Sequence, residues 1–359
     1  MYLYSLAEFK KYVTALDIKS TEELMILAGE KSCDDINELI DFLNHKGVTF
    51  FGGIYSRLLF ENHSYSEGFI IQKYEPVYSS IVLPSLMRFK LNLEEIKNCT
   101  AIVLIDGLSD KMKELTDTVF NRLGDSVKYI GGGAGFYDLN HRPCIFNNTG
   151  LHIDALHLCI IRSEVKIGVK HGWNKLEGPF TVTDSRQNVL SRLNGYMAFE
   201  VYRDVIEDHE GITLYKEDFF MYAKDHPFGI LNREQTELIV RDPINLNDEN
   251  EIVCVADVPL DSSLYVLKGN IDTLLSSSLE VAQYCTSNAP AQYVPLLFDC
   301  ISRAIFMEDR FEEELENIQK SLDFPVEGAL SIGEIASQLN GNLVIHNKST
   351  ILGLLSKEH

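Results

Sequence analysis

The chain has 359 residues, 45% of them hydrophobic and 24% charged, with a formal net charge of −21. That length is more than one small core needs, so two domains, or an α/β unit with a second lobe, are expected. A surface this acidic repels phosphate backbones and anionic lipid heads, which argues against nucleic acid and membrane as partners.

The N-terminal stretch MYLYSLAEFKKYV carries Glu8, Lys10 and Lys11 where a signal peptide would be apolar, so residues 1–20 read as an extension ahead of the first domain. ELMILAGE (23–30) is a short apolar run and predicts a strand. CDDINELIDFLNHKG (33–47) places Ile36, Leu39, Ile40 and Leu43 at helical spacing and ends in glycine, which predicts a helix. VTFFGG (48–53) is a second strand, and LLFENHSYSEGFIIQ (58–72) a hairpin.

The pattern returns as strand CTAIVLIDG (99–107), helix DKMKELTDTVFNRLG (110–124), strand VKYIGGGAG (127–135) and hairpin CIFNNTGLHIDALHLCII (144–161). It returns again as strand YVPLLFDC (293–300), acidic helix EDRFEEELENIQKSLDF (308–324), strand VEGALSIGE (326–334) and the closing NLVIHNKSTILGLL (342–355). Asn62 and His63, Asn147 and Asn148, and His346 and Asn347 are expected at the three hairpin bends. Between the second and third units, VKIGVKHGW, GPFTVTDSRQNVLSRLNG, TELIVRDPI and EIVCVADVPLDSSLYVLKG read as strands. YMAFEVYRDVIED reads as a helix, and NIDTLLSSSLEVAQYC as another with Asn270 as its N-cap. The predicted fold class is α/β, with repeated βαβ units and mixed parallel and antiparallel sheets in two lobes. The loops KDHPFG (224–229) and NLNDEN (245–250) are the best boundaries, giving domains at 21–225 and 226–359.

The seven cysteines are scattered, odd in number and without a Cys-x-x-Cys pair, which argues against a disulfide framework and a structural zinc site. No apolar run approaches the roughly 18 residues of a membrane helix. A cytoplasmic protein is expected.

Several residues offer chemistry. In βαβ sheets ligands bind beyond the carboxyl ends of strands, where the glycines around Gly132 and Gly133 fall. His171 and Trp173 are two apart around Gly172 and share a strand face, which suits a planar or cationic ligand; equally they read as a buried histidine and core filler. Arg303, three residues after Cys300, and Arg241 suit a bidentate carboxylate grip, or an ion pair, with Asp242 the obvious partner of Arg241. Cys300 reads as a thiol or a small apolar residue. Glu334, after Gly333, suits an amine. His346 and Asn347 suit a ligand or a turn.

HGWNKLEGPFTVTDSRQNVLSRLNGYMAFEVY, LIVRDPI, LFDCISR, GALSIGEIAS and LVIHNKSTILGLL occur in this order. Together they resemble the FIST family, an N-terminal FIST domain followed by its C-terminal partner, over nearly the whole chain beyond about residue 20. Two departures stand out: Ala134-Gly135-Phe136 where the family has Ala-Gly-Asp, leaving Asp138 as the nearby acid, and Cys300-Ile301-Ser302-Arg303 where it has Cys-x-Gly-Arg. The resemblance implies a sensory, ligand-binding protein of signal transduction, here free-standing, with a signalling partner such as a histidine kinase or a cyclic-dinucleotide enzyme. The implied ligand is an amino acid or related small metabolite, seated between the two lobes by His171, Trp173, Arg303, Glu334 and the backbone near Gly132. Two alternatives accompany it. One is a haem-binding nitric oxide sensor of the NosP type, with His171 or His346 as haem ligand, so that the cofactor is left open. The other is a Cys/His-dependent enzyme using Cys300, His171 and Glu334.

Overall fold

The computed structural model describes residues 1–84, 91, 93–231, 238–338 and 341–357. Residues 236–237, the start of the expected TELIVRDPI strand, lie outside them.

All three repeats form. Glu23–Gly29 is buried at every position, as an apolar run covered on both faces must be. The helix Ile36–His45 buries Ile36, Leu39, Ile40 and Leu43 and returns the chain to Thr49–Tyr55, which pairs parallel to the first strand. Cys99–Asp106, helix Met112–Leu123 and Val127–Ala134 repeat this arrangement, and Tyr293–Cys300 pairs parallel to Glu327–Ser331 in the third unit. There the crossover is two helices, Ile301–Met307 and Phe311–Lys320, where the sequence pattern predicts only the second.

One glycine per unit makes the parallel pair possible. A Cβ on Gly52 would lie 2.2 Å from the Ile26 carbonyl oxygen, and on Gly131 or Gly328 it would lie 1.8 Å from the Val103 or Leu297 carbonyl oxygen. Each glycine faces the same position of its unit's first strand.

The hairpins do not stay with their own units. Leu58–Phe60 of the first unit pairs with Glu327–Ser331 of the third, Ile145–Asn147 of the second with Thr49–Tyr55 of the first, and Glu334–Ser337 of the third with Val127–Ala134 of the second. The three sheets are thereby linked in a closed ring. The third hairpin bends between Ser337 and Leu343, not at His346 and Asn347 as expected. His346 remains paired with Glu334, and Asn347 to Ser349 form the next connection, into Thr350–Ser356.

The described residues between 174 and 268 form the second lobe, inserted between Val165–Lys170 and the helix Ile271–Thr286, which Asn270 caps as predicted by accepting from the Asp272 and Thr273 amides. The lobe's antiparallel strands and the helix Ala198–Glu210 enclose a separate core of Val182, Leu190, Tyr202, Ile206, Phe228 and Leu264. All seven cysteines are free thiols. No helix among the described residues is long and apolar enough to cross a membrane.

Because relief of a 1.8 Å contact requires the paired strands to separate, Gly131→Ala and Gly328→Ala should each cost about 1–3 kcal/mol or more. Chemical denaturation checks this; an unchanged midpoint in either variant would contradict the account of the strand pairing.

Candidate functional site

The strand Tyr293–Cys300 ends where the helix Ile301–Met307 begins, so Cys300, Ser302 and Arg303 cluster at the carboxyl edge of the third unit. Arg303 is fully buried. Its Nη2 donates to both Glu314 carboxylate oxygens at 2.9 and 2.8 Å, its Nη1 to the His171 carbonyl at 2.6 Å, and its Nε lies 3.3 Å from Asp299. Thr350 Oγ1 adds a donor to Glu314 at 2.8 Å. Burial, then the neighbouring Glu314, push the Asp299 carboxyl well above its usual range. The guanidinium is thus committed within the protein.

His171, Gly172 and Trp173 form the corner between two strands rather than one face of a strand, because Gly172 adopts a φ of +75°. Its backbone packs against the helix Ile271–Thr286, where a Cβ would lie 2.6 Å from Ser277 Oγ. The Trp173 amide donates to His171 Nδ1 at 3.0 Å, and burial lowers the His171 pKa to about 4. Trp173 Nε1 donates to the Lys348 carbonyl at 3.0 Å.

Glu334 accepts from Ser331 Oγ at 2.9 Å and from the Ser349 amide at 3.2 Å, and burial pushes its carboxyl up to about 8. His346 is held neutral by burial, its pKa lowered to about 3. Arg241 donates to the carbonyls of Asp257, Val240 and Ile345 at 2.7, 3.0 and 3.2 Å. Asp242, its expected partner, instead accepts from Ser302 Oγ and pairs with the buried Lys348 at 3.0 Å. Gly132 packs its Cα against Phe298, and the Gly133 amide donates to the Gly333 carbonyl at 2.8 Å, so this backbone serves the hairpin exchange.

A narrow cleft of about 10 Å³, room for about one water molecule, lies between the ring and the inserted lobe. Cys300, Ser302, Gly333 and Asn347 line it from the third unit, Leu108 and Leu139 from the second, and Asp242, Ile244 and Val255 from the lobe. Asn347 is 1% exposed, and among the described residues neither its amide oxygen nor its amide nitrogen has a hydrogen-bond partner. Leaving such a group unpaired costs about 1–3 kcal/mol. The cleft therefore brings together Cys300 and Asn347 of the residues expected from sequence. Arg303, Glu334, His171 and Trp173 do not line it. Sequence reasoning missed Ser302, Lys348 and Asp242 as site residues, although each adjoins a residue it singled out.

Two other places gather charged or metal-ligating side chains. Asp106, His141 and Asp154 offer metal-ligand atoms within 4.8 Å of one another. Each is already satisfied: His141 Nε2 lies 2.9 Å from Asp106, the Asp154 amide donates to Asp106 at 2.9 Å, and Ser109 Oγ donates to Asp154 at 2.6 Å. A wider groove beside Ala198–Glu210 carries Glu177, Glu200, Asp204 and Asp208 and is open to solvent.

The FIST N domain matches residues 5–196 and the FIST C domain residues 198–337. The chain belongs to the FIST family. FIST domains are associated with sensory signal transduction. No curated protein matches the chain. No histidine lines the Asn347 cleft among the described residues, and His171 Nδ1 accepts the Trp173 amide.

Arg303→Met should destabilise the protein by about 3–5 kcal/mol, because it leaves Glu314 buried without its partner; adding Glu314→Gln should recover part of that loss. Denaturant titration of both variants checks this, and a tolerated single variant would contradict it. Glu334 gives a pH signature. Unfolded it ionises near 4.5 and folded near 8, so over that window the folded state holds the extra proton and stability falls as pH rises. Glu334→Gln should remove this slope, its advantage over the wild type growing from pH 5 to 8; parallel stability curves would contradict the assignment.

Proposed function

We propose that this chain is a small-molecule-binding sensory protein of signal transduction, whose ligand seats between the inserted lobe and the ring once the lobe shifts to widen the narrow cleft there. The observation that carries this reading is the buried, unpartnered amide of Asn347 facing an aliphatic cavity. Buried polar groups in folded proteins are almost always paired, and one that the protein leaves unpaired calls for a partner such as a water, an ion or a ligand group. The position of Asp242 supports a signalling role. It lines the cleft and also ties the lobe to the ring through Ser302 and Lys348, so occupancy and lobe position are coupled. We take the ligand to be an amino-acid-related small metabolite, the compartment to be the cytoplasm, and the reader of the lobe to be a partner such as a histidine kinase or a cyclic-dinucleotide enzyme.

Catalysis by Cys300 has less support. Its thiol is pushed well above its ordinary pKa by burial and then by Glu334 and Asp242, whereas a nucleophilic cysteine needs a lowered one.

A thermal-shift screen of small metabolites against wild type and Asn347→Leu tests the proposal. The expected result is a ligand that raises the melting temperature of wild type and not of the variant. A ligand that raises both equally would place binding elsewhere.

A further inference from the structure

The inserted lobe carries a second concavity, which shares no lining residue with the Asn347 cleft. It holds about 440 Å³, is open to solvent, and lies between the helix Ala198–Glu210 and the strand Asn174–Arg186. We propose that this groove docks a partner protein through a cationic amphipathic helix, one whose basic row runs beside an apolar row at the same four-residue spacing. Docking there does not depend on where a small molecule seats.

The basic row follows from the acids of the groove. Glu200, Asp204 and Asp208 follow one another at four-residue spacing on the helix, and all three line the groove. Four residues of α-helix rise about 6 Å, so the carboxylates make a row about 12 Å long. Like charges at this spacing repel one another, and Asp208 stands near the end of the helix where the dipole disfavours an acid. The other acids of the helix serve the fold: Glu207 accepts from the Leu214 amide at 2.8 Å, and Glu210 pairs with Lys268 at 2.5 Å. The basic residues of the helix are engaged, Arg203 with Asp204 at 2.8 Å and His209 with Glu177 at 3.2 Å. Glu200 and Asp208 are exposed, and among the described residues neither has a hydrogen-bond or ion-pair partner. The row weakens the helix that carries it, and opposite charge from outside would offset that cost.

The apolar row follows from what lies beside the acids. Val201 and Val205, each one residue further along the helix, line the groove together with Phe180 of the strand. Tyr196, 69% exposed, stands just ahead of the helix and lines it too. Small mobile cations would neutralise the carboxylates and leave this apolar surface in water. An extended peptide points successive side chains to opposite faces, so it cannot set a basic row beside an apolar one. A helix does so with residues i, i+4 and i+1, i+5, and laying such a face into a groove is a general mode of peptide recognition.

The probe is a fluorescently labelled peptide, KLAQKLAQKLAQKLAQKL, with capped ends, titrated with the full chain and followed by anisotropy. The expected result is saturable binding that Glu200→Lys with Asp208→Lys weakens about tenfold or more. Glu61→Lys with Glu312→Lys makes the same change in net charge at exposed positions outside the groove and should leave the affinity unchanged. Tyr196→Ala should weaken binding several-fold without any change in charge. If the charge reversal disturbs the fold, Glu200→Gln with Asp208→Asn removes the two charges and should weaken binding as well. Equal losses in the two charge-reversed proteins would reduce the effect to diffuse attraction by an acidic chain and overturn the docking site. Equal affinity for a peptide of the same composition with its rows scrambled would overturn the helical match. Displacement of the peptide by an equal concentration of spermidine would make the groove a polyamine site, and the absence of saturable binding would overturn the inference outright. None of these outcomes touches the small-molecule seat, which the thermal screen with Asn347→Leu reads separately.

Discussion

A parallel βαβ pair leaves the outer edge of its second strand unpaired, and an open edge of buried strand is a row of unsatisfied amides and carbonyls. In this protein each unit's edge is filled by the hairpin of another, so no unit completes its sheet alone. The third hairpin lies on the second unit in a fixed register, with Glu334 opposite Gly132 and Ile335 opposite Gly131. That register brings Ile332 and Gly333 beside Leu108, and the floor of the cleft is the product of two units meeting. The glycines that look from sequence like a ligand-facing loop are required by this exchange. A Cβ at Gly133 would lie 1.9 Å from the Ile332 carbonyl oxygen.

The charged residues divide by the same geometry. Arg303 points inward from the first turn of Ile301–Met307, between Glu314 and the His171 carbonyl, and joins the third unit's helices to the corner from which the lobe departs. Ser302, one residue earlier, faces the cleft and the lobe's Asp242. A helix separates adjacent side chains by about 100°, so one motif supplies both the internal lock and the contact with the lobe. The lobe has its own core and reaches the ring through a few polar links, which suits an element that changes position more readily than the ring does.

Periodicity made the three units legible: the apolar runs, the helix face of Ile36, Leu39, Ile40 and Leu43, and the Asn270 cap are all local signals. Which hairpin pairs with which strand is not local, because an edge strand of a given pattern fits any edge of the same pattern. That is why the exchange was not foreseen, and with it the true bend of the third hairpin. The candidate site was half legible. Cys300 and Asn347 stand out by type and place. Arg303 stands out too, but its partner Glu314 lies eleven residues away on the second helix of a crossover read as one helix, so the pairing was hidden. Asp242 looked like the partner of Arg241, yet adjacent residues of an extended segment face opposite sides, and it turns toward Lys348.

The second and third units allow an internal comparison that bears on the cleft. Leu156 pairs with Ile105 as part of the second unit, and Thr350 with Asp299 in the third, so Asp106 corresponds to Cys300 and Asp154 to Lys348. The backbone repeats as well: Asp154 has a φ of 52° and Lys348 of 51°. At this shared position the second unit closes on itself, with His141, Asp106, Asp154 and Ser109 joined by hydrogen bonds. The third unit has Lys348 bound outward to the lobe and, beside it, Asn347 with neither amide group paired. The fold can satisfy this corner internally, as the second unit does. The position of Asn347 is Ile153 in the second unit, so the unpaired amide is particular to the third unit's sequence, and contact with a ligand is the role proposed for it.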